Sequence, residues 1–585
     1  MEFNQYYQDE LSYLREMGEE FAENYPKLAP FLGTRGSDPD VERILEGFAF
    51  IAGRLRQKLD DELPELTESI FSLLWPQYMR PLPSMSILEF TPISSAVSEK
   101  KLIRKGVEID SIPVDGMRCR FQTCFDVEMY PVKISAVEVN TVGLGSSLEI
   151  SFSSLNDTAL DKVDLHNLRI YLHGDVTSVS ENYLFLLNHI KEFRIESLSN
   201  DEELKLDPAS ISAGGFADDE QVIPYPDAVA DTYRLIHEYF ALPEKFRFLN
   251  INLGNALKNL GAKSGFKLKF SFDRVFDQQV RINKENFRLN CTPIINLFSR
   301  DSDPIRHGSE KSEYIVRPMG NEPHKYDIFT IDNVVGWMQG SNTRREYSPF
   351  LSFEHNLQYS DKSSYVFYKL RRQPAVVGRG IDTYISFISS EEKNFSVERE
   401  VVSAQMTCTN RNLPDKLKEG DIKTSTGTTP EFATFSNIIP ATKSLPPPID
   451  RGLHWNLISS MSSHYTSLLK IESLRSLLSS YNFPAYYNRQ AAREHELRME
   501  GIQTSKVEPI NLVLQGVAVR GIRINLTANS SKFTCEGELY MLSQVLNRFF
   551  AKFSTINSFT QLWVEDIEKG DIYKWKPMNG QQVLL

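Results

Sequence analysis

The spacing of the apolar residues changes near Pro81, and this change constrains the fold more than any other feature of the chain. Before Pro81, apolar residues recur every three or four positions, which places them along one side of a helix. After it, several segments alternate between apolar and polar residues, namely 148–152, 168–172 and 266–272. Such alternation is typical of half-buried strands. The pattern predicts an α+β, multi-domain protein with N-terminal helices, β-rich middle domains and a mixed α/β C-terminal domain.

The N-terminal region predicts three helices. The second begins after Asp38, which suits an N-cap, with Pro39 at the first helical position, where its missing N–H is not needed. We expect Pro64 to start the third helix and Pro76 to end it. The apolar stripe of the second helix contains Val41, Ile44, Leu45, Phe48, Ile51, Leu55, Leu59 and Leu63. Stripes of this kind usually form protein core.

The first helix carries a separate apolar stripe near the start of the chain. Its residues are Phe3, Tyr7, Leu11, Leu14, Met17 and Phe21. The Pro- and Gly-containing segment 26–39 separates this helix from the next one. A terminal amphipathic helix can dock on its own chain or on a partner, and the residues alone leave both alternatives open.

We expect four regions along the chain: 1–80, 81–330, 331–430 and 431–585. The first is helical, the next two are β-rich, and the last is an α+β assembly domain. The second region contains segment 201–231, which has nine acidic residues and one lysine. Because the segment is also rich in Gly and Pro, it predicts an exposed, mobile loop.

Local patterns place several further elements. Period-four spacing predicts a helix near 181–192, a long helix from Trp455 to Tyr481 and a last helix over 539–550. Alternation predicts a strand at 522–526. Residues 420–430 are rich in Thr, Ser and Gly, and four prolines follow between 440 and 448, which predicts a domain boundary or a semi-rigid strap.

Composition excludes several classes of protein. The 65 basic and 77 acidic residues give a net charge of −12, which argues against nucleic-acid binding, since that affinity rests on a cationic surface. Five cysteines in 585 residues are too few for a disulfide framework. The N-terminus has no signal-peptide pattern, and no run approaches about 18 uninterrupted apolar residues. We therefore expect a soluble, cytoplasmic protein without direct membrane insertion.

The sequence carries no pattern that predicts catalysis, a metal or a cofactor. The ten histidines are scattered, and His166 and His173 would face opposite sides of a strand. The glycines at 254–264 have the wrong spacing for a phosphate-binding loop. Adjacent carboxylates such as Asp60 and Asp61 are common in any acidic chain. We expect no catalytic residue, no cofactor-binding residue and no metal ligand.

Several blocks of this sequence resemble one family. They are Arg35–Arg43 (RGSDPDVER), Glu46–Phe50 (EGFAF), Arg54–Glu68 (RLRQKLDDELPELTE), Leu74–Tyr78 (LWPQY), Pro81–Met85 (PLPSM), Glu238–Phe246 (EYFALPEKF), Asn290–Phe298 (NCTPIINLF), Cys408–Pro414 (CTNRNLP), and Gly537–Leu539 through Phe549–Ala551 to Ile556–Leu562. The chain closely resembles TssF, a baseplate subunit of the bacterial type VI secretion system. Because the blocks span nearly the whole chain in order, the resemblance implies a full-length family member.

The resemblance implies a structural role. TssF-like subunits pair with each other and with one TssG to form the baseplate wedge. TssK and TssE join that wedge, and wedges surround a spike hub and seed the contractile sheath and tube. The resemblance thus implies a cytoplasmic protein at a baseplate docked near the inner membrane. No catalytic or cofactor residue carries over from the family.

The resemblance also bears on the terminal stripe, because this end of the family belongs to a helical bundle shared between wedge subunits. We therefore expect the first helix to pack on another chain. The candidate interface residues are Phe3, Tyr7, Leu11, Leu14, Met17 and Phe21. Two alternatives remain at this point: a wedge protein of a phage tail or phage-derived contractile particle, and an enzyme whose site is assembled from distant residues.

Overall fold

The architecture was determined from a computed structural model of the 585-residue chain. The structure describes residues 7–8, 10–14, 17, 39–142, 145–156, 158–226, 231–277, 280–308, 311–320, 322–338, 344–350, 366–374, 380–389, 400–447, 469–514 and 517–581. The chain divides into two compact units. The first contains Met1–Met79 and Ile449–Trp455, and the second contains Arg80–Pro448 and Asn456–Leu585.

The first unit is dominated by one helix, α1 (Pro39–Leu74), which has 36 residues and is about 54 Å long at 1.5 Å per residue. It begins at Pro39, as predicted. The prediction of a break at Pro64 is wrong, because the helix continues through that residue. Proline removes one N–H and crowds the preceding turn, but the remaining hydrogen bonds of so long a helix outweigh that local loss.

A cluster of aromatic rings follows the end of α1. Trp75 N–H donates to the carbonyl oxygen of Phe71 at 2.8 Å, and a 3₁₀ turn then spans Pro76–Met79. The ring of Phe71 lies 5.9 Å from that of Trp75 and 5.5 Å from that of Tyr78, measured between centroids. Pro76 therefore ends the helix as the sequence predicted.

The second unit is built largely from sheets, whose strands are numbered in their order along the chain. The first has the order β24 (Ile422–Thr424), β3 (Glu108–Val114), β4 (Met117–Thr123), β15 (Cys291–Ile295), β1 (Met85–Pro92) and β25 (Ala433–Asn437). The second has the order β10 (Glu203–Leu206), β9 (Ile190–Ser197), β13 (Gly265–Phe272), β7 (Gly145–Ser154) and β6 (Val132–Val142). The predicted strands at 148–152 and 266–272 are confirmed as β7 and β13.

Two smaller sheets lie in the same part of the chain. One has the order β11 (Ile211–Ala213), β12 (Phe248–Asn252), β8 (Asn167–Leu172) and β14 (Phe287–Leu289). The other pairs β2 (Lys101–Ile103) with β5 (Val127–Met129). Strand β8 confirms the prediction for 168–172.

A larger sheet follows along the chain. Its order is β16 (Phe298–Asp301), β23 (Glu400–Thr409), β19 (Asp327–Met338), β20 (Arg344–Pro349), β21 (Val366–Pro374), β22 (Ile381–Ser389) and β18 (Tyr314–Ile315), with β17 (Ile305–His307) also paired to β23. Its apolar core includes Val334, Ile385, Val402 and Met406, all of which are fully buried.

The C-terminal part combines helices with a mixed sheet. The sheet contains β26 (Ile502–Leu514), β27 (Val517–Ala528), β28 (Phe559–Asp566), β29 (Ile572–Lys574) and β30 (Met578–Asn579). Strands β27 and β28 are parallel, which requires a crossover connection. The helices among the described residues of the second unit are α2 (Val176–Asn188), α3 (Arg234–Ala241), α4 (Ala256–Asn259), α5 (Ile471–Tyr481), α6 (Phe483–Tyr487), α7 (Arg489–Gly501) and α8 (Glu536–Phe553).

These elements confirm the α+β class and most predicted elements. Helix α2 corresponds to the helix expected near 181–192, α8 contains the predicted helix 539–550, and β27 contains the strand 522–526. Of the helix predicted from Trp455, the part over 471–481 is helical, and residues 455–468 lie outside the described residues.

The prediction of an exposed loop over 201–231 is wrong for its described part, 201–226. This segment forms β10 and β11 and buries Phe216, Val222 and Ile223. The carboxylate of Glu220 accepts the backbone N–H groups of Gly215 at 2.8 Å and Ala217 at 3.2 Å. Acidic residues that accept hydrogen bonds thus order a segment that composition suggested was mobile.

The segment after 420 is also built into a sheet. Strand β24 pairs with β3, and β25 pairs with β1, so regions 81–330 and 431–447 share one sheet. Thr442 N–H donates to the carbonyl oxygen of Met85 at 2.8 Å. The division into regions 81–330, 331–430 and 431–585 stays a prediction.

Helix α8 packs closely against α2 at Gly537. A Cβ atom built at Gly537 would collide with the backbone carbonyl oxygen of Ser180. The rings of Tyr183 and Tyr540 then meet edge to face at a centroid distance of 6.2 Å. The absence of a side chain at Gly537 therefore lets the two helices approach.

We predict that Gly537→Ala destabilises the second unit by about 1–3 kcal/mol, as overpacked sites do, because backbone must shift to admit the methyl group. Thermal unfolding followed by near-UV circular dichroism should show a midpoint lowered by a few degrees. The control is Gly47→Ala in α1, where a Cβ meets nothing within 4 Å and alanine favours the helix. Equal midpoints for the two variants would contradict this packing.

Candidate assembly surfaces

Among the described residues of the first unit, the most exposed apolar side chains lie on α1. They include Ile44, Phe48, Ile51 and Leu55, which are 70%, 60%, 59% and 57% exposed. Because successive helical residues turn by about 100°, the spacing of four, three and four places these side chains in one narrow stripe. We call this stripe the exposed apolar face of α1.

The opposite side of α1 carries small residues, and these are buried. Ala49 is fully buried, and Gly53 is buried one turn later. The helix thus buries small residues and exposes large ones within the single chain. The expectation that this stripe forms core does not hold for Ile44, Phe48, Ile51 and Leu55. Leu45 of the same stripe is half-buried, and the side chains of Val41, Leu59 and Leu63 lie outside the described residues.

The terminal stripe is described in part. Residues 7–8, 10–14 and 17 are helical, as predicted. Tyr7 and Leu14 are half-buried, Leu11 is 5% exposed and Met17 is 46% exposed. Phe3 and Phe21 lie outside the described residues. The stripe therefore keeps solvent-facing apolar area, and its role as a partner interface stays a prediction.

The second unit contains a buried ionic cluster around Glu238 of α3. Its carboxylate accepts the backbone N–H groups of Val222 at 2.7 Å and Ile223 at 3.0 Å. It also pairs with the ammonium group of Lys245, and a guanidinium nitrogen of Arg234 lies 3.9 Å away. Burial by itself would raise the pKa of Glu238, but these two cations outweigh burial and hold the pKa below its usual value.

The geometry of this cluster indicates a structural role. Arg234, Lys245 and Glu238 are all shielded from solvent, and burial lowers the pKa of the adjacent His237 to about 4. A charged cluster that solvent cannot reach cannot receive a substrate from solution. Its effect is to join α3, the 3₁₀ turn at Pro243–Phe246 and the acidic segment before residue 226.

The cysteines have the properties of buried structural thiols. Burial raises the pKa of all five, to about 12 for Cys119, Cys408 and Cys535, and well above the usual value for Cys124 and Cys291. Such thiols are protonated at neutral pH and are poor nucleophiles and poor metal ligands. Within the described ranges, no group of three or more His, Cys, Asp or Glu side chains could hold a metal ion.

A second polar network joins the C-terminal helices. The ring nitrogen Nε2 of His495 on α7 lies 2.9 Å from Oγ of Ser479 on α5. Arg498 of α7 pairs with Glu538 of α8 at 2.7 Å. Burial, together with the positive charge of Arg498, lowers the pKa of His495 to about 4. His495 is therefore a neutral, buried side chain at physiological pH.

Comparison with known proteins decides the family. A model of the type VI secretion system protein TssF matches residues 1–582. The chain belongs to the TssF family. It is 27% identical to the type VI secretion system component TssF1 of Pseudomonas aeruginosa, over 99% of this chain and 98% of that protein. The prediction of a type VI secretion baseplate component is thus confirmed.

Two solved structures are similar to this TssF-family chain. A chain of the TssK–TssF–TssG baseplate subcomplex, determined by cryo-electron microscopy, superposes with a TM-score of 0.77 at 29% identity and covers 93% of this chain and 99% of that chain. A chain of a type VI secretion baseplate complex gives a TM-score of 0.64 at 26% identity, with both chains covered in full.

Sequence reasoning on this TssF-family chain found the apolar stripe of α1 but not its exposure. One signal pointed to it: the stripe of Ile, Phe, Ile and Leu faces away from Ala49 and Gly53, so the small side of the helix suits close packing.

No helix among the described residues is long and apolar enough to span a bilayer.

We predict that acidification destabilises this TssF-family chain partly through His495. Its pKa is about 4 when folded and about 6.5 when unfolded, so the unfolded state binds more protons between these values. Stability is therefore lost as pH falls from about 7 towards 4, by about 1–2 kcal/mol at pH 5. His495→Gln should remove this loss.

The measurement is chemical denaturation of both proteins at pH 7.5 and pH 5. At pH 5 the unfolding free energy of His495→Gln, relative to that of wild type, should be higher than it is at pH 7.5. Lys258→Gln, at an exposed position, serves as a control with no expected pH-dependent difference. If wild type and His495→Gln differ in unfolding free energy by the same amount at both pH values, His495 is not a neutral buried histidine.

Proposed function

We propose that this chain pairs with a TssG-like subunit and with a second copy of itself to build the baseplate wedge. TssK-like and TssE-like subunits join this wedge, which lies close to the spike hub and to the platform where sheath and tube assemble. The observation that carries the proposal is the superposition with a chain of a TssK–TssF–TssG subcomplex, over 93% of this chain.

The exposed apolar face of α1 supports a role in assembly. Burying one large aliphatic or aromatic side chain stabilises a complex by about 1.5–3 kcal/mol, and four such side chains lie in one stripe here. A narrow stripe on a helix of 36 residues is the surface that a partner helix packs against. In the free subunit the same surface favours aggregation.

The negative charge of the N-terminal region indicates which partner surfaces fit it. Residues 1–75 contain 16 acidic and 7 basic residues, a net charge of −9. This accounts for most of the net charge of −12 of the whole chain. Partners with basic helices around an apolar seam therefore fit this region, since complementary charge favours encounter and register.

The proposed role requires no catalysis, and we propose that the chain is not an enzyme. The raised pKa values of the five thiols and the enclosed cluster at Glu238 support this. A catalytic site needs accessible, mutually bonded titratable groups beside a substrate pocket. The alternative of an enzyme with a dispersed site has no specific observation in its favour.

We further propose that the assembled baseplate containing this chain is cytoplasmic and docks near the inner membrane. The experiment that tests the whole proposal is co-expression with the TssG-like and TssK-like products of the same organism, followed by affinity purification and native mass spectrometry. A complex with two copies of this chain per TssG-like subunit is expected. A monodisperse chain that leaves the column alone would refute the proposal.

We predict that Phe48→Asp abolishes this complex while the isolated chain keeps its stability. The side chain is 60% exposed in the free chain, so the substitution leaves folding nearly unchanged. In a packed seam it would bury an unpaired carboxylate, at about 3–5 kcal/mol, which lowers affinity on the order of 100-fold or more. Affinity should be measured by biolayer interferometry with the TssG-like partner.

The matched control is Ile567→Asp, which places the same charge at an apolar residue that is 52% exposed in the second unit. It should bind the partner normally. Equal loss of binding by both variants would indicate a general effect of added charge, and normal binding by Phe48→Asp would exclude the exposed apolar face of α1 from the interface.

We predict separately that Leu14→Asp prevents complex formation while the sheets over 81–400 keep their fold. Leu14 is half-buried in the free chain, and an aspartate there would place an unpaired charge in the seam with a partner helix that we propose. A pull-down, circular dichroism and limited proteolysis of the variant test this together. Tyr13→Asp is the control, because Tyr13 is 57% exposed and lies outside the stripe.

A further inference from the structure

Strands β16 to β23 form one sheet and all come from one continuous stretch of the sequence, residues 298–409. The six-stranded sheet that contains β15 takes strands from both sides of this stretch, because β1, β3, β4 and β15 precede it and β24 and β25 follow it. Residues 298–409 are therefore an insertion within the chain that builds the six-stranded sheet. We call these residues the insert, and the six-stranded sheet the body sheet.

The insert and the body sheet have separate apolar cores. The core of the insert extends in sequence from Phe298 to Cys408 and, among the described residues, includes none from outside the insert. The core of the body sheet includes Leu88, Phe121 and Ile294, and its described members all lie outside the insert. A segment that has its own core and whose two ends lie close together can move as one body.

The insert is joined to the body sheet by two chain crossings that lie side by side. Phe298, at the start of the insert, pairs with Cys408 near its end. Just outside this pair, Asn296 and Asn410 are both buried and bond to each other. The backbone N–H of Asn410 donates to Oδ1 of Asn296 at 2.7 Å, and Nδ2 of Asn296 donates to Oδ1 of Asn410 at 2.8 Å. We call this pair of crossings the neck.

Each crossing bends at the neck. On the way into the insert, Leu297 N–H donates to the carbonyl oxygen of Ile295 at 3.0 Å, which closes a three-residue turn between β15 and β16. On the way out, Arg411 has a φ of 53°, in the left-handed region that residues other than glycine seldom adopt. A hinge consists of a few such residues at the ends of elements, where changes in φ and ψ move everything beyond them.

Beside the neck, Arg411 reaches back to the insert. Its Nη1 atom donates to the carbonyl oxygen of His324 at 2.7 Å, and its Nε atom lies 3.2 Å from Oδ1 of Asp327. Arg411 is 9% exposed and Asp327 is 6% exposed. Because removing one partner of a shielded ion pair leaves the other charge uncompensated, this pair favours the arrangement in which both residues stay in place.

Two further contacts join the same edge of the insert to the rest of the second unit. Nζ of Lys325 donates to the carbonyl oxygen of Asp115 at 2.9 Å, and the guanidinium carbon of Arg80 lies 5.1 Å from the centre of the Phe329 ring. Both contacts are made by charged side chains. Polar interfaces between domains resemble transient protein–protein interfaces, which allow the domains to move.

We propose that the insert pivots as one body on the neck formed by Asn296 and Asn410, and that the ion pair of Asp327 with Arg411 is the latch that holds it in one orientation. When the latch opens, the bends at Leu297 and Arg411 let the insert swing while both cores stay intact. The proposal does not depend on the wedge assignment.

The test measures one distance across the neck in the full-length chain by double electron–electron resonance. Spin labels are attached at Ser348→Cys in the insert and Ser95→Cys next to β1, both exposed positions. Wild type should give one narrow distance distribution. Asp327→Asn and Arg411→Gln should each enlarge the fraction outside the wild-type peak by about threefold or more, because each leaves a shielded charge without its partner.

The matched control is Arg371→Gln, because Arg371 forms its ion pair with Glu313 inside the insert. This variant should keep the wild-type distribution. An unchanged distribution in either latch variant, or an equal broadening in Arg371→Gln, would overturn the proposal.

Hydrogen exchange of the same latch variants distinguishes a pivot from unfolding. The amides of β23 in the insert and of β1 in the body sheet should keep their wild-type protection, since neither core opens when the insert swings. Lost protection in either strand would mean that the broader distance distribution comes from local unfolding, and this result would also overturn the proposal.

Discussion

The buried carboxylate of Glu238 is the interaction on which much of the second unit depends. It receives two backbone N–H groups from Val222 and Ile223 and faces Lys245 and Arg234. A buried charge is tolerated only when its hydrogen bonds and counter-charges are nearly complete, and here three separate segments must be in place to supply them. The acidic segment before residue 226 is therefore ordered by the cluster that it helps to complete.

The two units differ in where their apolar side chains lie. The second unit buries its apolar residues within its own sheets and against helices such as α8, with a closely packed contact at Gly537 and Ser180. The first unit leaves large apolar side chains of α1 in solvent. One unit of this chain packs around its own core, and the other exposes apolar surface. Such a chain is suited to assembly, which agrees with its membership of a secretion baseplate family.

Charge distribution follows the same division. Most of the net negative charge lies within residues 1–75, the part of the chain that contains the exposed apolar face of α1. An acidic region favours partners with basic surfaces, because like charges would repel the wrong partner.

The sequence by itself determined the class of fold, the start of α1 at Pro39, the strands β7, β8 and β13 and the helix α8. Each of these rests on local periodicity or on the backbone chemistry of proline, which act over a few residues. Tertiary structure alone decided the rest. It ordered segment 201–226, because Glu220 pairs with Arg169, and Glu238 accepts from Val222 and Ile223, only when these separate segments pack together. It also decided that the stripe at Ile44, Phe48, Ile51 and Leu55 is surface, since periodicity reports which residues share a face and only the packing of the whole chain determines whether that face is covered.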